Sequence, residues 1–212
     1  MANVDRTLTV PYFTQPTPIT CQSTVLKMMA TYLEQEVVFQ STAAGSRQIV
    51  DIWKDINQDP KRPSKVRNAH ANMKWWLEQH FPTLKFEYIQ TSREDRAIEA
   101  IVRFVDAGFP VLVSVSHARV KGHIILVTGY SNYSPGVSSP DFELIVHDPY
   151  GRFEPVLLSK EFGRKRWDSG QTLQTGDEIG PGRFNRVPLQ AVSRQRLGDG
   201  QAGTYFLLSA RH

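Results

Sequence analysis

The chain has 212 residues, 40% hydrophobic and 10% aromatic, which suits one globular domain with a sizeable core and excludes a disordered chain. Its formal net charge of +4 reads as a mildly basic surface, and no run of about 18 apolar residues is present to cross a membrane as a helix. One cysteine, Cys21, excludes an internal disulfide and a thiolate metal cluster.

In chain order, residues 7–13 (TLTVPYF) read as an extended lead-in, with Pro11 unable to donate to a ladder. Residues 14–20 form a loop stiffened by Pro16 and Pro18, and a helix starts at or beside Cys21. Val25, Leu26, Met28, Met29, Tyr32 and Leu33 recur at helical spacing and predict its buried face. Further helices are predicted over 46–57 and 67–80, separated by Asp59-Pro60 and Pro63. The tandem Trp75 and Trp76 suit core or groove wall rather than a cofactor box. A strand over 84–89, a helix over 93–107 ended by Gly108, and strands over 110–115, 123–128, 142–146 and 204–208 follow. Gly129, the loop 131–140 and Asp148-Pro149-Tyr150-Gly151 punctuate the strands. Helices first and then a mostly antiparallel sheet define an α+β domain covering 1–212. Residues 160–200, rich in Gly, Arg and Gln, read as an irregular insertion.

The chemistry centres on Cys21. A thiol attacks amides only as thiolate, and a helix N-terminus or a neighbouring imidazolium favours that form. A structural cysteine would sit more naturally in the apolar stripe, at Met28 or Met29. A nucleophile needs a base, an orienter and oxyanion donors. His123 opens a strand after Gly122, which leaves room for a substrate backbone; the competing reading is an exposed strand-end histidine. Asp148 follows a strand and precedes Pro149, either as a rigid acceptor for the imidazole or as part of an ordinary turn. The six histidines lack helical zinc spacing, so neither metal nor cofactor is expected. A serine triad from Ser114 or Ser116 lacks a nucleophile elbow.

Cys21 at a helix start, Gln15 six residues earlier within Val10-Pro-Tyr-Phe-Thr-Gln15, Gly122-His123 at a strand start and His147-Asp148-Pro149-Tyr150-Gly151 after the next strand occur in this order. Together they resemble the C39-like branch of the papain-like cysteine peptidases, over most of residues 8–160. The resemblance implies Cys21 as nucleophile, His123 as general base and acid, Asp148 as orienter, and Gln15 with the Cys21 backbone N–H as oxyanion donors. It departs at His147, where relatives often carry Asn, and at Gln22, where no small residue follows the cysteine.

The activity so implied is cleavage of a protein or peptide, with a preference for Gly-Gly before the cut suited by Gly122, Trp75 and Trp76. Rival outcomes on the same fold are a cell-wall amidase, a transglutaminase-like acyl transferase and a non-catalytic peptide-binding module. The basic stretch Gly163-Arg164-Lys165-Arg166 is too short to argue for a nucleic-acid groove. Neither a transporter segment nor a secretory signal is read in the sequence. The expectation is therefore a cytoplasmic protein, or a toxin effector delivered into a target cell with an immunity protein or inhibitor as partner.

Overall fold

The computed structural model describes residues 4–17, 19–115, 123–134, 141–149, 183–189 and 203–212. Four α-helices and seven strands appear among them: β1 (Val4–Thr7), α1 (Cys21–Tyr32), α2 (Ile49–Gln58), α3 (His70–His80), β2 (Lys85–Thr91), α4 (Glu94–Asp106), β3 (Val111–Val115), β4 (His123–Tyr133), β5 (Glu143–His147), β6 (Asn185–Pro188) and β7 (Tyr205–Arg211). The strands form one antiparallel sheet in the order β2-β7-β3-β4-β5-β6, and β1 adds to β4 beyond the end of β3. The α+β expectation holds. None of the described helices is long and apolar enough to cross a membrane.

Helix α1 organises the helical half. Val25, Leu26, Met28, Met29 and Leu33 are all fully buried, as their spacing predicts, but so are Ser23 and Thr24. A helix buried on nearly every side lies in the interior rather than on a surface. It packs against α2, α3 and β4, and widens into a π-type turn over Leu33–Val37. Helix α4 turns Ala97, Ile101, Phe104 and Val105 inward onto β7 and β4, and ends at Gly108, whose φ of +86° is the left-handed conformation glycine adopts freely.

Two features depart from the sequence expectations, and a third decides between core and groove wall for Trp76. Gly129 does not end a strand: β4 continues through it to Tyr133. A Cβ at Gly129 would lie 2.3 Å from the Arg6 carbonyl oxygen, so glycine is what lets β1 cross closely there. Second, part of the expected irregular insertion is regular, because Asn185–Pro188 pairs with β5. The rest of that stretch, 160–182 and 190–200, lies outside the described residues, as does the basic stretch 163–166. Third, Trp76 is a core residue, 2% exposed, with its indole N–H donating to Asp55 Oδ2 at 3.1 Å. It is no groove wall, and Trp75 is half-buried against the same core.

Candidate active site

The lead-in segment and the loop before α1 bring the predicted residues together. Leu8 N–H donates to the Thr128 carbonyl (2.8 Å), aligning the segment with β4. The His147 ring donates from Nε2 to the Val10 carbonyl at 2.9 Å. Tyr12 Oη–H donates to the Asp148 carbonyl at 2.9 Å, and Gln15 N–H to the Pro149 carbonyl at 2.9 Å. Three consecutive residues, the last of β5 and the two after it, are thus pinned to three positions of the Val10–Gln15 run. Each bond is individually modest, of about 1 kcal/mol, but together they fix where Asp148 stands relative to the loop that carries Cys21.

That loop is closed by two threonines. The Thr17 carbonyl accepts from Thr20 Oγ1 (2.9 Å) and from Gln15 Nε2 (2.8 Å). The Thr20 carbonyl then accepts from Thr24 N–H (2.9 Å), Thr24 Oγ1 (2.8 Å) and Ser23 Oγ (3.0 Å), starting α1 with Cys21 as its first residue. No acidic residue stands in the first turn, so nothing there offsets the positive end of the helix dipole beside the sulfur.

His123 and Asp148 are both buried, 3% and 1% exposed, and His123 Nε2 lies 2.8 Å from Asp148 Oδ1. Nε2 faces the carboxylate, and Cys21 stands close enough to the ring to favour its charged form. Burial alone would lower the imidazole pKa. The Asp148 charge and hydrogen bond, followed by the hydrogen bond and charge of Cys21, outweigh it and raise His123 to about 10. The arrangement sets a cysteine, a histidine and a carboxylate beside one another in that order. Cys21 is half-buried, and its Sγ–H is 3.2 Å from Gln22 Oε1.

Gln15 is fully buried, with one Nε2 hydrogen on Thr17 and its Oε1 without a partner. The amide Nε2 carries a second hydrogen beyond the one given to Thr17. Gly122 lies outside the described residues. Trp76, as a core residue, offers no surface to a substrate.

Four contributors escaped the sequence reading. Tyr12, Thr17 and Gln22 act through hydrogen bonds that no pattern announces. His147 was legible only as a second histidine near the site. It is fully buried, with Nε2 on Val10 and Nδ1 accepting from Phe184 N–H at 3.1 Å, its ring edge-on to Tyr12 and Phe184. Burial lowers its pKa to about 4, and both nitrogens are engaged by backbone, so it stays neutral and structural.

Helices on an antiparallel sheet, with a cysteine at a helix start beside a strand-borne His–Asp pair, define a papain-like cysteine peptidase by class. The chain belongs to the Peptidase_C39 like family, which matches residues 7–172. Among solved structures it is similar to the crystal structure of UfSP from C. elegans, with a TM-score of 0.53 at 12% identity. The alignment covers 100% of this chain and 35% of that one, so the chain spans about a third of UfSP's length. At that identity the likeness speaks for the fold alone. No curated protein matches the sequence.

Proposed function

We propose that the protein hydrolyses peptide bonds with Cys21, His123 and Asp148 as its triad and Gln15 as an oxyanion donor. The observation that carries this is the buried His123–Asp148 pair, 2.8 Å apart, with Cys21 beside it at the uncompensated start of α1. The Cys21 thiolate attacks the peptide carbonyl carbon, and its former proton resides on His123 Nδ1. The developing oxyanion is held by the second Nε2 hydrogen of Gln15 and the Cys21 backbone N–H. His123 gives its proton to the leaving amine, then takes one from the water that resolves the thioester. Asp148 orients the ring and stabilises its charged form throughout.

The test is hydrolysis of a mixed peptide library by the wild type, Cys21→Ala and Gln15→Ala. Cleavage should vanish with Cys21→Ala and fall about 10²-fold or more with Gln15→Ala, the usual cost of one oxyanion donor. Full activity of Cys21→Ala would dismiss the triad. The same library reads out the Gly-Gly preference, which rests on family resemblance with no help from Trp76; cleavage indifferent to glycine at the two positions before the cut would remove it. For the toxin-effector reading, expression of wild type should arrest growth of a susceptible cell and Cys21→Ala should not. A cognate immunity protein or inhibitor would then abolish library cleavage on binding.

A further inference from the structure

Gln22 follows the nucleophile directly, in the first turn of α1, and is only 1% exposed. Its Oε1 is 3.2 Å from Cys21 Sγ, while its Nε2 is buried without any hydrogen-bond partner. The amide is therefore anchored at its oxygen by a thiol, a weak donor, while the stronger pole goes unused. An orphaned buried N–H is costly and calls for an explanation.

We propose that Gln22 is a positioning residue whose terminal amide follows the charge of Cys21, accepting from the thiol through Oε1 and, after a half-turn, donating Nε2–H to the thiolate. The inference rests on the reading of Cys21 as nucleophile. When the sulfur's proton passes to His123 Nδ1, the Oε1 lone pairs would face a negative sulfur and repel it. Rotation about the last side-chain bond moves no backbone and gives up only the weak S–H contact. It replaces that contact with a charge-assisted N–H···S⁻ bond and supplies the orphaned donor with an acceptor. The exchange favours thiolate over thiol, because the bond gained is stronger than the bond lost. The sulfur would then be held from two sides, by His123 and by Gln22, which also fixes its direction of attack. Gln22 itself touches no substrate. An alternative account makes Gln22 a mere filler of the helix start, which methionine, similar in length and volume, would replace without consequence for the sulfur.

The two accounts part in the pH dependence of iodoacetamide alkylation, measured by intact mass on the wild type, Gln22→Met, Gln22→Glu and His123→Ala, with thermal melting as the control for folding. Gln22→Met should raise the pH midpoint of alkylation by about one unit, so that below the midpoint the reaction runs about tenfold slower. Gln22→Glu has the same shape and places a carboxylate against the sulfur, so it should raise the midpoint further, and it decides the matter if the methionine variant does not fold. In peptide hydrolysis both variants should lose kcat and leave KM nearly unchanged. A midpoint in Gln22→Met or Gln22→Glu equal to or below that of a wild type that His123→Ala deactivates would overturn the role of Gln22 alone. Wild-type alkylation at the rate of an ordinary thiol, indifferent to His123→Ala, would remove the nucleophile reading and the role of Gln22 with it.

Discussion

Two buried histidines stand on neighbouring strands, His123 at the start of β4 and His147 at the end of β5, and they are driven in opposite directions. His123 is raised to about 10 and His147 lowered to about 4. Burial is alike for both, 3% and 0% exposed, and disfavours the charged ring in each. Their partners make the difference. His123 has a carboxylate on Nε2 and the Cys21 sulfur nearby, which together favour imidazolium. His147 has a carbonyl on Nε2, but its Nδ1 must accept from Phe184 N–H and so cannot carry a proton. One ring is suited to moving a proton, and the other is a strut between the lead-in segment, β5 and the turn before β6.

The largest expected effect breaks the reactive side of this comparison. His123→Ala should lower peptide hydrolysis by about 10³-fold or more, measured as kcat, since members of a catalytic unit fail together. Asp148→Ala should cost less than losing Cys21, about 10–10²-fold, and should shift the alkaline limb of the pH–rate profile downward, because the charge that holds His123 protonated is gone. An unchanged alkaline limb would argue against Asp148 as the source of that shift.

On the structural side, His147→Phe leaves the Val10 carbonyl and the Phe184 N–H without partners. It should destabilise the protein by about 2–4 kcal/mol in chemical denaturation. The pH dependence sharpens the contrast. His147 is neutral when folded and protonates more readily when unfolded, so wild-type stability should decline as pH falls from about 6.5 towards 4, by ~3 kcal/mol at most. His123 contributes with the opposite sign: its stabilisation is complete below the unfolded value of about 6.5 and is lost as pH rises through about 10. His147→Phe should abolish its share of the acid-side decline and leave the alkaline one, in denaturation measured across pH. The smallest effect is that of Tyr12→Phe, which removes one hydrogen bond to the Asp148 carbonyl and should cost about 1 kcal/mol.

What the sequence announced and what it hid divide along the same line. Cys21 and α1 were legible because a proline-stiffened loop meets a strong helical apolar stripe. His123 and Asp148 were legible because strand patterns end beside them. Strand β1 was hidden because all four of its residues are exposed and carry no alternation, so only its pairing with β4 defines it. Strand β6 was hidden because it is a short run ending in proline, with Val187 as a buried hydrophobic residue between the polar Asn185 and Arg186 and that proline. Tandem tryptophans cannot reveal which of them faces the core, since adjacent helical positions point in different directions. The opposed roles of His123 and His147 were illegible for a related reason. Residue type sets the range of a histidine's behaviour, and distant partners such as Val10 and Phe184 choose within it.

The central claim is that Cys21 and His123 form one reactive unit. The most direct measurement is the rate of labelling by a thiol-directed epoxysuccinyl peptidase inhibitor, followed by intact mass on the wild type, Cys21→Ala and His123→Ala. The account predicts fast single labelling of the wild type, none with Cys21→Ala, and labelling slowed by orders of magnitude with His123→Ala. Slow wild-type labelling that does not change when His123 is removed would contradict it.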